Sequence, residues 1–224
     1  MTIIDARPTC FYHPIKVIFL DDNRAFLDAL DLEFGQKFNI LTLTSSDMAF
    51  HLIDNDCQDI TQSIFKLMND VNLDTTNDRV IGFDVSNMLN QLYHKARFEN
   101  APLLVVDYQM PGINGIEFCK KIKEKKIFKI MLTAEADKDT AIKAFNHGLI
   151  DKFILKTSEN LYPEITLAVD DLTQRYFREL TKNIVNAYEN SINNLFDNEL
   201  YQKLFASVLI QAQAVEYYLV DNSG

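Results

Sequence analysis

Five short apolar runs, separated by segments of helical periodicity, constrain this chain more than any other feature. They are IKVIFL (15–20), FNILTL (38–43), LLVV (103–106), FKIML (128–132) and KFIL (152–155). Each is too short for a helix and rich in branched or aromatic side chains, as strands buried on both faces require. Between them Arg24 to Phe34 ends at Gly35, Ile116 to Lys125 follows a Pro-Gly loop, and Lys138 to His147 ends at Gly148. Gly35 and Gly148 are expected to adopt the left-handed cap conformation. Strand and helix alternate, and right-handed crossovers convert that order into an α/β fold. The expected architecture is a doubly wound five-stranded parallel sheet, flavodoxin-like, with strand order 2-1-3-4-5.

Two stretches exceed what that sheet needs. From Asp22 to Asp107 the chain runs 107 − 22 = 85 positions, where two helices and one strand would suffice. Within it Ile60, Ile64, Leu67, Met68 and Val71 form one helical stripe, and Val85, Met88, Leu89, Leu92, Tyr93 and Ala96 a second, joined by the polar NLDTTNDR. A helical-hairpin insertion over about 56–100 follows, packing on its own domain or offering a surface to a partner or second copy. Beyond Lys156 a helix beginning near Pro163 carries a stripe from Ile165 to Leu195, with a mean spacing of (195 − 165)/8 = 3.75. That is closer to an ordinary amphipathic helix than to a coiled-coil seam. At about 34 residues it would reach roughly 50 Å at ~1.5 Å per residue, enough to outreach the sheet and invite dimerisation. The expected division is an N-terminal arm (1–14), a sheet domain (15–172) and a helical linker or dimerisation region (173–224). The ending EYYLVDNSG reads as the opening of a further strand, before an output domain not included.

Composition narrows the functions available. A net charge of −10 over 224 residues opposes adhesion to nucleic acid or anionic membrane. The run Lys120, Lys121, Lys123, Lys125, Lys126 and Lys129 is interrupted by Glu124 and reads as the solvated end of one helix. Three widely spaced cysteines and four scattered histidines give neither a disulfide framework nor a zinc signature. With no secretion signal and no membrane-length apolar run, a cytoplasmic location is expected.

The chemistry lies at the strand ends. Strand 1 ends in Asp21-Asp22, strand 3 in Asp107, strand 4 in Thr133 and strand 5 in Lys156. In a doubly wound sheet these carboxyl ends share the edge where ligands bind. Three carboxylates at close range repel one another, and a hard divalent cation with oxygen ligands relieves that repulsion, so magnesium is the expected cofactor. Asp107 could then act as a nucleophile toward a phosphoryl group, with Thr133 and Lys156 contacting its oxygens.

These residues, with the loop Met110-Pro111-Gly112-Ile113-Asn114-Gly115 after Asp107, resemble the receiver domains of two-component response regulators (CheY-like). The resemblance covers roughly residues 15–57 and 101–172. It implies that Asp107 accepts a phosphoryl group from a sensor histidine kinase or phosphotransfer protein. Asp22, Asp107 and the Gln109 carbonyl would bind magnesium, with Asp21 acting mostly through water. Thr133 and Phe153 would be the switch pair, and Gln109 and Glu135 would tune the phosphoryl lifetime. One departure is that Thr157 follows Lys156 where receivers commonly carry proline. The helical extension and overall order are also similar to quorum-sensing response regulators of the Lqs type.

The reading is therefore a non-enzymatic phosphoacceptor that switches a dimer or output surface, without direct nucleic-acid binding by this segment. One competing reading is a receiver-like scaffold that is never phosphorylated. Another is an aspartate-nucleophile phosphohydrolase of the haloacid dehalogenase class. The latter carries its nucleophile in a D-x-D motif on strand 1, where this chain has Asp21-Asp22-Asn23-Arg24.

Overall fold

The apolar runs form strands and the periodic segments form helices in the computed structural model, which describes residues 8–56, 95–123, 125–134, 137–187 and 198–218. In chain order the elements are β1 (Phe11–Tyr12), β2 (Lys16–Leu20), α1 (Arg24–Phe34), β3 (Asn39–Leu43), α2 (Ser46–Asp56), a 3-10 turn (Lys95–Phe98), β4 (Leu103–Asp107) and α3 (Gly115–Lys121). There follow β5 (Phe128–Thr133), α4 (Lys138–Asn146), β6 (Lys152–Leu155), α5 (Leu161–Ala187), α6 (Glu199–Gln211) and β7 (Tyr217–Tyr218). The described residues fall into two compact units, one of 14–56 and 98–176, the other of 8–13, 95–97, 177–187 and 198–218. The expected hairpin insertion lies almost wholly outside the described residues.

The first unit is the expected α/β fold. Five parallel strands lie in the order β3-β2-β4-β5-β6, which is 2-1-3-4-5 counted within the sheet. Alternation along the strands divides the core. Ile18, Leu20, Leu104, Val106 and Met131 pack with Ala49 and Ile53 of α2, Phe118 and Cys119 of α3, and Ala141 and Ala144 of α4. The intervening residues, among them Phe19, face the other side, where the Phe19 ring stacks on Phe34 of α1 at 6.0 Å and Phe34 meets Tyr162 of α5 edge-on. Both faces are covered, which is why Leu103 to Val106 carry no polar side chain.

Helix ends depart from expectation in two places. Gly35 caps α1 at φ −60°, ψ −23°, a right-handed conformation, with its N–H bonded to Asp31 O. The tight continuation Lys37 N to Phe34 O makes a left-handed residue unnecessary. Gly148, by contrast, does adopt φ +66°. Helix α3 stops at Lys121, short of the expected Lys125, because the chain must turn through Lys123 to enter β5 at Phe128. Lys129, read as part of a solvated basic run, is buried in β5 with its ammonium on Ile127 O. Lys125 is paired with Asp54.

At the start of α1, Asn23 caps the helix, its Oδ1 accepting from Phe26 N at 3.2 Å. Asn23→Ala should lower stability by about 1 kcal/mol, read as a fall in the urea midpoint at unchanged slope.

In the second unit, β1 pairs antiparallel with β7, Phe11 opposite Tyr218 and Tyr12 opposite Tyr217. The expected N-terminal arm thus supplies a strand, and the terminal YY pairs back on it. Phe177 of α5 packs its ring against those of Phe11, Tyr12 and His13, with centroids 5.7, 5.0 and 4.9 Å away. Thr9 Oγ1 lies 2.9 Å from the Tyr217 hydroxyl. Helix α5 is described over 27 residues, and the expected stripe beyond Ala187 lies outside the described residues. No helix among the described residues is long and apolar enough to cross a membrane.

Candidate functional site

Parallel strands deliver their carboxyl ends to one edge, and here the register aligns them. Leu20 pairs with Val106, Asp107 with Leu132, and Thr133 with Leu155. The residues ending these strands, or following them, therefore stand beside one another. Asp21, Asp22 and Asp107 each offer a carboxylate oxygen within 4.8 Å of the others. Asp21 and Asp107 are buried at 2% and 5% exposure, whereas Asp22 faces solvent.

Lys156 lies between the two buried acids. Its Nζ donates to Asp21 Oδ2 at 2.6 Å and contacts Asp107 Oδ1 at 2.9 Å. Asp21 Oδ1 also accepts the N–H of Asn23 at 2.9 Å. Burial pushes the Asp107 carboxyl above its ordinary value; the Lys156 hydrogen bond and charge oppose this, and the Asp21 charge adds to it. Burial works to lower the Lys156 value, but the bonds to Asp21 and Asp107 outweigh it and the ammonium is held raised. Both values rise for different reasons: at Asp107 burial outweighs the pairing with Lys156, and at Lys156 the pairing with two carboxylates outweighs burial. Counting Asp22, three negative charges face one positive, a local balance of −3 + 1 = −2. A divalent cation matches that balance, and an all-oxygen donor set is what magnesium prefers. The residues fit the ion.

The remaining expected residues fall as follows. Thr133 is fully buried at the end of β5, and its hydroxyl donates to Ala134 O at 3.2 Å. Phe153 is half-buried in β6, edge-on to Phe145 of α4 at 6.3 Å. The backbone N–H of Gln109 bonds the Asp107 carboxylate, and its side chain donates to Asp137 Oδ2 at 2.7 Å. Glu135 lies outside the described residues. Despite the missing proline, Lys156 N bonds Thr133 O at 2.9 Å and the side chain enters the site.

Two residues, Phe26 and Asp137, were not singled out from sequence, and Gly115 was named only as the end of the Met110 to Gly115 loop. Gly115 gives the loop its closure: its N–H bonds Tyr108 O, and a Cβ there would stand 2.3 Å from Asp107 O. Phe26 presents its ring to Lys156, Nζ to centroid 4.8 Å. Asp137 receives Gln109. For Phe26 a signal existed, since a helix that starts two residues after Asp22 must place its first turn over the sheet edge.

A doubly wound sheet with an acidic cluster at its switch point, a strand-terminal Thr and an invading Lys defines the receiver class. The chain carries a response regulator receiver domain of the two-component type. The family described as "Response regulator receiver domain" matches residues 79–161, which contain Asp107, Thr133 and Lys156, while the geometry adds Asp21 and Asp22. The solved Legionella pneumophila response regulator LqsR is 30% identical and superposes with a TM-score of 0.75 over 96% of this chain and 62% of its own. The transcriptional regulatory protein ResD of Bacillus subtilis is 36% identical over 77 residues, 34% of this chain and 31% of its own length. The phosphate regulon regulator PhoB of Rhizobium meliloti is 28% identical over 100 residues, 42% and 43% of the two chains. The chain therefore spans less than two thirds of each of these relatives. A receiver domain from Clostridium thermocellum, at 16% identity and TM-score 0.50, supports the fold alone.

Proposed function

We propose that this chain is the phosphoacceptor of a phosphorelay, taking a phosphoryl group onto Asp107 from the phosphohistidine of a sensor kinase or phosphotransfer protein. The observation that carries the reading is Lys156 held between Asp21 and Asp107 at the mouth of an acidic cluster. An Asp107 carboxylate oxygen attacks phosphorus, a P–O bond forms, the P–N bond breaks, and the imidazole nitrogen keeps the electron pair and takes up a proton. Lys156 helps keep the nucleophile ionised against the burial that favours its protonated form. Asp22, Asp107 and the Gln109 carbonyl would hold magnesium, with Asp21 acting through water; bound there, the ion neutralises charge developing on the transferred group.

The phosphoryl group adds about −1.5 to −2 charges at the sheet edge. Lys156 and the Thr133 hydroxyl turn toward it, and Phe153 rotates into the space Thr133 leaves. The surface formed by α4, β6 and the start of α5 changes with them. That change is a shift between two existing states, biased because phosphate contacts one better than the other. Gln109 and Glu135 set how fast water removes the group. The protein acts in the cytoplasm as a phosphoprotein rather than as a turnover enzyme. The insertion or the long C-terminal helix carries its dimer contact, this segment does not bind nucleic acid, and quorum sensing is the pathway consistent with the Lqs-type likeness.

The test is intact mass after incubation with acetyl phosphate and magnesium. One phosphoryl group should be gained. Turnover of a phosphate ester would instead favour the hydrolase reading, and an unchanged oligomeric state with beryllium fluoride would favour the scaffold. Magnesium should also stabilise the fold. At a hundred times its Kd a single-site ion contributes about 2.7 kcal/mol. We expect a rise in Tm over chelated protein that is lost in Asp22→Ala.

A further inference from the structure

Four contacts close a circuit around the Lys156 ammonium. Asn23 N–H donates to Asp21 Oδ1 at 2.9 Å, Asn23 Oδ1 accepts from Phe26 N at 3.2 Å, the Phe26 ring faces Lys156 Nζ at 4.8 Å, and Lys156 returns to Asp21 Oδ2 at 2.6 Å. Nothing in the phosphoacceptor chemistry calls for an aromatic ring at position 26. A branched aliphatic would complete the helix turn equally well. From this circuit we infer that Phe26 is a positioning residue, whose ring holds the Lys156 ammonium at the acceptor site.

Two carboxylates direct this cation through short, directional hydrogen bonds. When Asp107 becomes an acyl phosphate, the bond to its oxygen must be exchanged for one to a phosphoryl oxygen. A ring face attracts a cation over a broad area without claiming a particular N–H, so it can hold the ammonium near the edge while that exchange occurs. It also removes water from one side of the ammonium, strengthening its attraction to the anions on the other. The ring is itself fixed. Phe26 is half-buried and lies in the first turn of α1, whose cap is bound to Asp21, so the acid and the aromatic clamp the lysine from one strand-to-helix junction.

The inference rests on Asp107 being the acceptor, and the experiment separates the two. Proton NMR of the wild type should show the Lys156 ε-methylene resonances moved upfield by the Phe26 ring current. Phe26→Leu should lose that shift, whereas Phe26→Tyr should keep it. Binding of beryllium fluoride in the presence of magnesium should weaken about threefold in Phe26→Leu, the size set by one partly exposed cation–π contact, and recover in Phe26→Tyr. Ordinary ε-methylene shifts in the wild type, or equal beryllium fluoride affinity in a folded Phe26→Leu, would overturn the role of Phe26. A wild type that shows the shift but binds no beryllium fluoride would overturn the acceptor reading and leave the clamp standing.

Discussion

Asp107→Asn, incubated with acetyl phosphate and magnesium, should gain no mass, whereas the parent chain gains one phosphoryl group. The amide keeps the shape of the side chain, exchanges one carboxylate oxygen for NH2 and removes the nucleophilic charge, so loss of the adduct would point to Asp107. Lys156 still has Asp21 at 2.6 Å, and the strand end should therefore stay in place. The same variant should be the more stable protein in metal-free buffer once pH exceeds the folded value of Asp107. Burial holds the Asp107 value above that of the unfolded chain. A carboxyl so shifted stabilises the fold below its unfolded value, and that contribution is lost as pH rises through the folded value. Above the folded value the ionised parent has lost it, and the amide never carries the charge. The gap in Tm should narrow in acid and reverse when magnesium is added, because only the parent offers the ion its full set of carboxylates. An adduct on Asp107→Asn equal to the parent's would remove Asp107 from the mechanism.

The second large effect belongs to Gly115. Its Cβ position lies 2.3 Å from the Asp107 carbonyl oxygen and 3.1 Å from Tyr108 Cα, both backbone atoms that no rotamer can move. Gly115→Ala must open the turn that carries Asp107. We expect a loss of about 2–3 kcal/mol, seen as a lower urea midpoint, together with weakened magnesium binding. Gly112 provides the comparison. It has φ +79° with nothing within 4 Å of its Cβ position, so Gly112→Ala meets only backbone strain of about 1–2 kcal/mol and should leave magnesium affinity as in the parent. If Gly115→Ala equals the parent in both measurements, the close approach does not govern the loop.

Much of this was legible along the chain because strand ends in a parallel sheet are topologically fixed. Once Leu103 to Val106 are read as a strand, Asp107 must lie at the ligand edge, and the same holds for Thr133 and Lys156 after their own strands. Helix ends were less legible. Gly35 adopts a right-handed conformation because the following turn closes on Phe34 without needing positive φ, a matter of how α1 meets β3 rather than of residue type. Lys129 illustrates the same limit, since a lysine among lysines reads as solvated until its strand is placed inside the sheet.

The linear order of apolar runs and polar strand ends was sufficient to determine the fold class, the strand order and the placing of five side chains, Asp21, Asp22, Asp107, Thr133 and Lys156, at one edge of the sheet. It did so because alternation and right-handed crossover leave few ways to bury five such strands. The tertiary structure alone decided how the charges pair. That Lys156 binds both Asp21 and Asp107, that a Cβ at position 115 would meet the Asp107 carbonyl, and that Phe26 faces the ammonium depend on distances of a few ångströms between segments up to 135 residues apart. Sequence spacing carries no record of such distances. They are fixed by side-chain reach and loop closure once the strands have packed.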